Sequence, residues 1–408
     1  MLSRRSFLQS SAIVSLTPLL PAIVARTARA AGAAPDARAL VVIQLDGGND
    51  GINTVVPYAD DNYAKARVRL RLEMEKLHKL NDYAALHPNM KGAKELFDDG
   101  RLAIVQGVSY PNPNRSHFES MKIWQTANRE ADLTGGDGWL GRALDRQIAA
   151  DAQHKPKHSI YVGAQETPVA LWGRQSEAVA MTREDDLELQ LKIGVAMFTD
   201  GSAGVGNPGA DRAVDQFVVR EVLSAYDAAR QFQERRARAP AETGATYPDT
   251  QLATQLRLVS QLLKADSPAR VYYAMQTGYD THSSQLDTHS QLLRELSEAM
   301  KTFLNDLKSA QLDDRVVVLA FSEFGRRVAE NDSAGTDHGT AGPVFLAGTP
   351  VRGGLIGGPP MLADLQEGDL KSQHDFRQVY ATLLDNWLGV SSKEVLGAAF
   401  EHLPILNA

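Results

Sequence analysis

Ala39-Leu40-Val41-Val42-Ile43-Gln44-Leu45 runs straight into Asp46-Gly47-Gly48-Asn49-Asp50-Gly51. Seven residues, mostly aliphatic or β-branched, predict a strand buried on both faces. Glycines after the strand let the backbone approach a ligand closely, and a carboxylate at that point suits a metal or phosphate site. A tight turn with a solvated Asp46 is the plainer reading. The glycine spacing does not match the dinucleotide fingerprint. Pro57 stands at the twelfth position from Asp46, where a calcium-binding EF-hand loop requires Glu.

Comparable runs recur outward from this stretch, at Leu102–Gly107, Val271–Gln276, Arg315–Phe321 and Val344–Ala347, with helical patterns between them. The expected class is therefore α/β, a mostly parallel central sheet with helices on both faces. Most of these strands lead into Gly, Asp, Glu, Ser or His, and open α/β sheets bind ligands beyond the carboxyl ends of their strands. Gln285–Leu307 reads as a long helix that packs Leu292, Leu293, Leu296, Met300 and Phe303 against the sheet. The segment of about 128–266 reads as an insertion or cap. It holds weaker strands around Ile160 and Leu171, then helical stretches Asp211–Arg236 and Gln251–Lys264 joined by the Pro/Gly/Ala linker Ala239–Pro248.

The first residues include Ser3-Arg4-Arg5-Ser6-Phe7-Leu8, an address for the twin-arginine export machinery. An uncharged stretch from Ser11 to Ala25 and the small-x-small pattern Ala28-Arg29-Ala30 complete a signal peptide over residues 1–30. The mature part, 31–408, is expected in the periplasm or medium with no stable membrane span. Residues 1–30 carry four of the 43 basic residues and no acidic ones, so 39 basic and 50 acidic residues remain, a net charge of −11. With no basic cluster in that remainder, nucleic acid is not an expected partner. The chain has no cysteine, so its stability rests on the core and not on disulfides.

Four offerings of chemistry lie at predicted strand ends. Asp46 is the first. Next, Ser116 with His117 follows Pro111-Asn112-Pro113-Asn114-Arg115, and Glu119 three residues on makes Ser116 a candidate N-cap with a capping box. The same position sets the Ser116 hydroxyl in the positive field of a helix N-terminus, which favours an attacking alkoxide and a bound anion. Gly278-Tyr279-Asp280-Thr281-His282 is the densest cluster, while Asp287 and His289 fit the polar face of the next helix. Ser322-Glu323-Phe324-Gly325-Arg326 and Asp337-His338-Gly339 close the series.

Taken in order, Asp46, Ser116, Asp280, His282, Glu323, Asp337 and His338 resemble the ligand order of the alkaline-phosphatase and sulfatase superfamily. The segment His374–Arg377 through Thr382–Gly389 resembles that superfamily's late docking helix. With the signal peptide, the Leu45–Gly51 loop, Ser116–Phe118, Gly278–His282 and Ser322–Arg326, the chain is similar over nearly its whole length to a bacterial family of twin-arginine-exported proteins of unknown function placed in that superfamily. The resemblance implies a one- or two-metal site with Ser116 as nucleophile and His117 or Arg115 touching the bound anion. Asp46, Asp337 and His338 would hold one divalent ion (zinc, manganese, magnesium or calcium), Asp280 and His282 a second, and Glu323 a further ion or the surrounding shell. The superfamily's usual Asp-x-x-x-His spacing is here Asp280-Thr281-His282, and its third histidine is His374 or a helix cap takes that place. The implied activity is hydrolysis of an anionic ester, phosphate before sulfate because many sulfatases build their nucleophile from cysteine. The rival is an exported binding or assembly protein that keeps the fold without catalysis, and metal occupancy separates the two.

Overall fold

The computed structural model describes residues 38–128, 136–150, 158–182 and 244–407. The expected signal peptide and the helical stretch Asp211–Arg236 lie outside the described residues. Among those described, nine strands form one sheet: β1 (Ala39–Asp46), β2 (Leu102–Ser109), β3 (His158–Val162), β4 (Glu177–Met181), β5 (Val271–Thr277), β6 (Val316–Phe321), β7 (Gly342–Ala347), β8 (Gly354–Ile356) and β9 (His374–Asp375). Their order is β8-β2-β7-β6-β1-β5-β3-β4, with β9 paired to β2. Every pairing is parallel except those of β7, which runs antiparallel to β2 and β6.

The opening stretch is a central strand, and its two faces feed two cores. Val41, Ile43 and Leu45 pack with Leu96 of α1 (Lys91–Asp98), Leu256 of α4 (Gln251–Lys264) and Phe303 of α5 (Gln285–Ser309). Leu40 and Val42 point the other way, joining Trp124 of α2 (His117–Thr126), Leu140 of α3 (Trp139–Ala150) and Tyr380 of α6 (Phe376–Thr382). A strand with both faces covered cannot alternate polar and apolar residues, hence its nearly continuous apolar run. Each such side chain contributes on the order of 1.5–3 kcal/mol of burial.

The described part of 128–266 belongs to this body. β3 and β4 extend the sheet at one edge, and α4 covers a face. The strand expected around Leu171 is instead a 3-10 turn, Val169–Leu171, in which the Leu171 amide donates to the Pro168 carbonyl at 3.0 Å. Trp172 then gives its carbonyl to the Gly138 amide, so this short run pairs with a loop and β4 takes the sheet edge. Asp375 caps α6 through a capping box with Gln378, and the helix widens into a π-turn, Leu383–Leu388, ending at Gly389 with φ +68°.

Register brings the chemistry to one edge. Asp46 lies opposite Thr277 and Gln44 opposite Phe321, so β1, β5 and β6 release their loops side by side.

Candidate metal centre

Three loops meet at Asp280. Gly47 makes the approach of the β1 loop possible: its φ is +120°, and a Cβ there would lie 2.4 Å from the Asp280 amide. Behind β6, Gly325–Arg327 zips to Asp337–Thr340. The Gly325 amide donates to the Thr340 carbonyl (2.9 Å), that of Gly339 to Gly325 (2.9 Å) and that of Arg327 to Asp337 (3.0 Å). Arg326, fully buried, pins the loops together. Its Nε donates to the Gly48 carbonyl at 2.8 Å, Nη1 to Thr336 at 2.8 Å, and Nη2 to the Tyr279 carbonyl at 3.1 Å and Asp280 Oδ1 at 2.5 Å.

Around Asp280 Oδ1 stand three imidazole Nε2 atoms: His282 at 3.1 Å, His338 at 3.2 Å and His117, the first residue of α2, at 3.4 Å. The Nε2 atoms of His282 and His338 are 2.9 Å apart. One ligand atom each from His117, Asp280 and His338 lies within 4.8 Å of the others.

The far nitrogen of each ring fixes its tautomer. His338 Nδ1 is 2.7 Å from the Arg115 carbonyl, which only accepts, so this nitrogen carries a proton. His117 Nδ1 sits 2.7 Å from Glu323 Oε1 and His282 Nδ1 3.3 Å from Asp337 Oδ1, again donor to acceptor. In its neutral form each ring then turns the lone pair of Nε2 toward Asp280. Three lone pairs and a carboxylate repel one another unless a cation lies among them. Imidazole backed by carboxylate or carbonyl is how proteins orient metal ligands. His117 Nε2 is also buried without a hydrogen-bond partner, so the donor set fits a divalent ion.

Electrostatics agree with that fit. Burial alone would raise the Asp280 carboxyl, but the hydrogen bond and charge of Arg326 bring it down to about 2, keeping it anionic. Burial lowers His338, which favours the neutral form that a metal ligand requires. The hydrogen bond that His117 donates to Glu323 raises the pKa of His117, so a proton and a metal ion compete for its Nε2.

The other expected residues sit around this centre. Glu323 also accepts from the Gly47 amide at 2.9 Å, and Asp337 from Asn331 Nδ2 at 3.1 Å, so both stand behind histidines. Asp46 accepts from Gln44 Nε2 at 3.0 Å. Burial, then the neighbouring Glu323 charge, raises its pKa. Ser116 occupies the N-cap of α2, but its side chain makes no capping bond, and its hydroxyl is exposed. His374 lies in β9, where Asp375 and not His374 caps the helix. Asp287 is exposed on α5 as expected. His289 is not: it is buried, with Nε2 2.9 Å from Asn49 Oδ1, because the β1 loop covers the start of α5. No spacing in the sequence marks Arg326 as the pin of the loops.

Among the described residues no helix is long and apolar enough to cross a membrane. No curated protein matches the chain in sequence. Solved structures that it is similar to include a protein in the alkaline phosphatase superfamily from Vibrio parahaemolyticus, 11% identical, with a TM-score of 0.40 over 88% of this chain and 69% of that one. Another is the phosphonate monoester hydrolase of Agrobacterium radiobacter, 9% identical, TM-score 0.36, over 89% and 78%. A third is a mutant of TAB5 alkaline phosphatase with Mg bound in the M3 site, 12% identical, TM-score 0.33, over 76% and 91%. Residues 37–399 match the family described as protein of unknown function (DUF1501), and the chain belongs to that family.

Proposed function

We propose that this protein is an exported, metal-dependent hydrolase of phosphate esters, with sulfate esters less favoured. The observation that carries the reading is the convergence of three Nε2 lone pairs on Asp280, each ring held from behind by an acceptor. A divalent ion bound there supplies Lewis acidity, neutralising ester oxygens and making a nearby hydroxyl easier to deprotonate. Imidazole-rich ligands suit zinc better than manganese, magnesium or calcium. His117, Asp280, His282 and His338 hold the ion, while Glu323 and Asp337 fix the orientation of two rings. Ser116 is the nucleophile in this reading, since it immediately precedes His117 at a helix N-terminus and its hydroxyl is not taken by a capping bond. Asp46 remains beside the centre as a further carboxylate. Export follows from Arg4 and Arg5 as the receptor-read pair.

Metal content and hydrolysis of 4-nitrophenyl phosphate and bis(4-nitrophenyl) phosphate, measured on protein purified without chelator, test the reading. Asp280→Asn should lose most of the metal and the turnover together. Ser116→Ala should keep the metal and lose turnover at least a hundredfold. A fully loaded Asp280→Asn protein would remove the site. An active Ser116→Ala protein would remove Ser116 as nucleophile. Metal-loaded wild type without turnover on phosphate or sulfate esters would favour the non-catalytic binding protein.

A further inference from the structure

Beside the metal centre lies a cleft of about 740 Å³, lined by Ser109–Arg115, Thr340, Gln366, Glu367 and Leu370–Ser372. It shares structure with the centre. Arg115 lines it and accepts from His338 Nδ1 through its carbonyl, and Thr340 lines it two residues after His338. A cavity of this size holds a drug-sized group and is far larger than a phosphate requires.

Its charges are already balanced. Arg115 pairs with the buried Asp369 and stands 3.6 Å from the exposed carboxylate of Glu367, and Lys371 pairs with Asp364. Two side-chain amides in the lining take no part in these pairs. The side-chain amides of Asn112 and Gln366, both exposed, have no hydrogen-bond partner among the described residues. Asn112 also holds φ at +50°, a left-handed conformation that asparagine tolerates better than most residues and glycine better still. An amide kept at that position, in a wall built otherwise with Pro111 and Pro113, offers hydrogen bonds in both directions to a neutral, hydroxyl-bearing group.

We propose that this cleft is the leaving-group subsite of the centre, that its occupant is an uncharged polyhydroxylated alcohol, and that Asn112 and Gln366 set the specificity for it. The proposal rests on the ester-hydrolase reading. The reaction balances as ester plus water giving alcohol plus phosphate, with the alcohol oxygen taking a proton as it leaves into the cleft.

The test compares metal-loaded wild type with Asn112→Gly and Gln366→Ala, singly and together, on glucose 6-phosphate, mannitol 1-phosphate and 4-nitrophenyl phosphate. Asn112→Gly keeps the left-handed backbone while removing the amide, so it separates recognition from folding. Wild type should favour at least one polyol ester over the aryl ester by tenfold or more in kcat/KM. The double variant should lose about tenfold on that polyol ester, mainly through KM, and stay within twofold on the aryl ester. Saturation-transfer NMR should show methyl α-glucoside or mannitol bound to metal-free wild type and lost in the double variant. Equal loss on all substrates, or aryl turnover with no polyol preference and no polyol binding, would overturn the subsite and leave the hydrolase reading standing. Polyol binding without turnover of any ester would uphold the cleft as a polyol site and overturn the hydrolase reading.

Discussion

Asp50 and Asp280 are two carboxylates in neighbouring loops, each paired with a fully buried arginine, yet they end in opposite states. Around Asp50 everything is closed. Arg67 grips both oxygens, Gln285 adds a third donor, and neither member of the ion pair has exposed side-chain surface. Burial opposes the charge there, but the Arg67 charge prevails and its carboxyl stays low. Asp280 receives Arg326 on Oδ1 and is 47% exposed, with three imidazole nitrogens facing the same oxygen. Counting donors separates the two: a carboxylate gripped by protein hydrogens on both oxygens holds loops, whereas one that is half-exposed among imidazole nitrogens is a candidate metal ligand.

The largest effect should therefore come from the closed pair. Asp50→Ala leaves Arg67 buried and uncompensated and should cost about 3–5 kcal/mol, read by chemical denaturation. A loss under 1 kcal/mol would mean that the contrast between the two carboxylates is false.

Acid should unsettle the same buried region next. Burial pushes His289 down to about 4, with Asp50 pulling up and Arg67 and Arg326 pushing further down. Burial and the neighbouring His289 push His87 down to about 3. Unfolded histidine takes a proton near 6.5, so the unfolded chain binds more protons below that pH. The contribution of His289 is thus fully present above about 6.5 and lost as the pH falls toward 4, on the order of 3 kcal/mol at about 1.4 kcal/mol per pH unit. Stability against pH should show that slope in wild type and a shallower one in His289→Gln. Parallel slopes would contradict the assignment.

A smaller effect belongs to the groups behind the ligands. Glu323→Gln and Asp337→Asn should each weaken metal binding about 10–100-fold by calorimetric titration while the fold persists. An unchanged affinity in both would show that the rings need no support from behind.

The sequence made the sheet legible because a doubly covered strand must read as a continuous apolar run, as Ala39–Leu45 does, and because β1, β5 and β6 end in residues with chemistry. Asp280, His282 and His338 stand out in the sequence as candidates for that reason. The partition of roles does not. Glu323 and Asp337 are spaced like ligands, and their service to His117 and His282 depends on ring orientation, which no spacing encodes. His117 becomes the third imidazole only because α2 starts beside the loop of β6, a contact more than 200 residues apart in the chain. Leu171 misled for a local reason: three apolar residues after Pro168 form a turn as readily as a strand.

The most direct measurement is a zinc-soaked crystal of the protein, with anomalous scattering recorded at the zinc edge. The account predicts an ion bonded to Nε2 of His117, His282 and His338 and to Asp280, with Glu323, Asp337 and the Arg115 carbonyl on the far nitrogens. An absent peak, or one held only by Asp46 and Glu323 with the three histidines turned away, would contradict it.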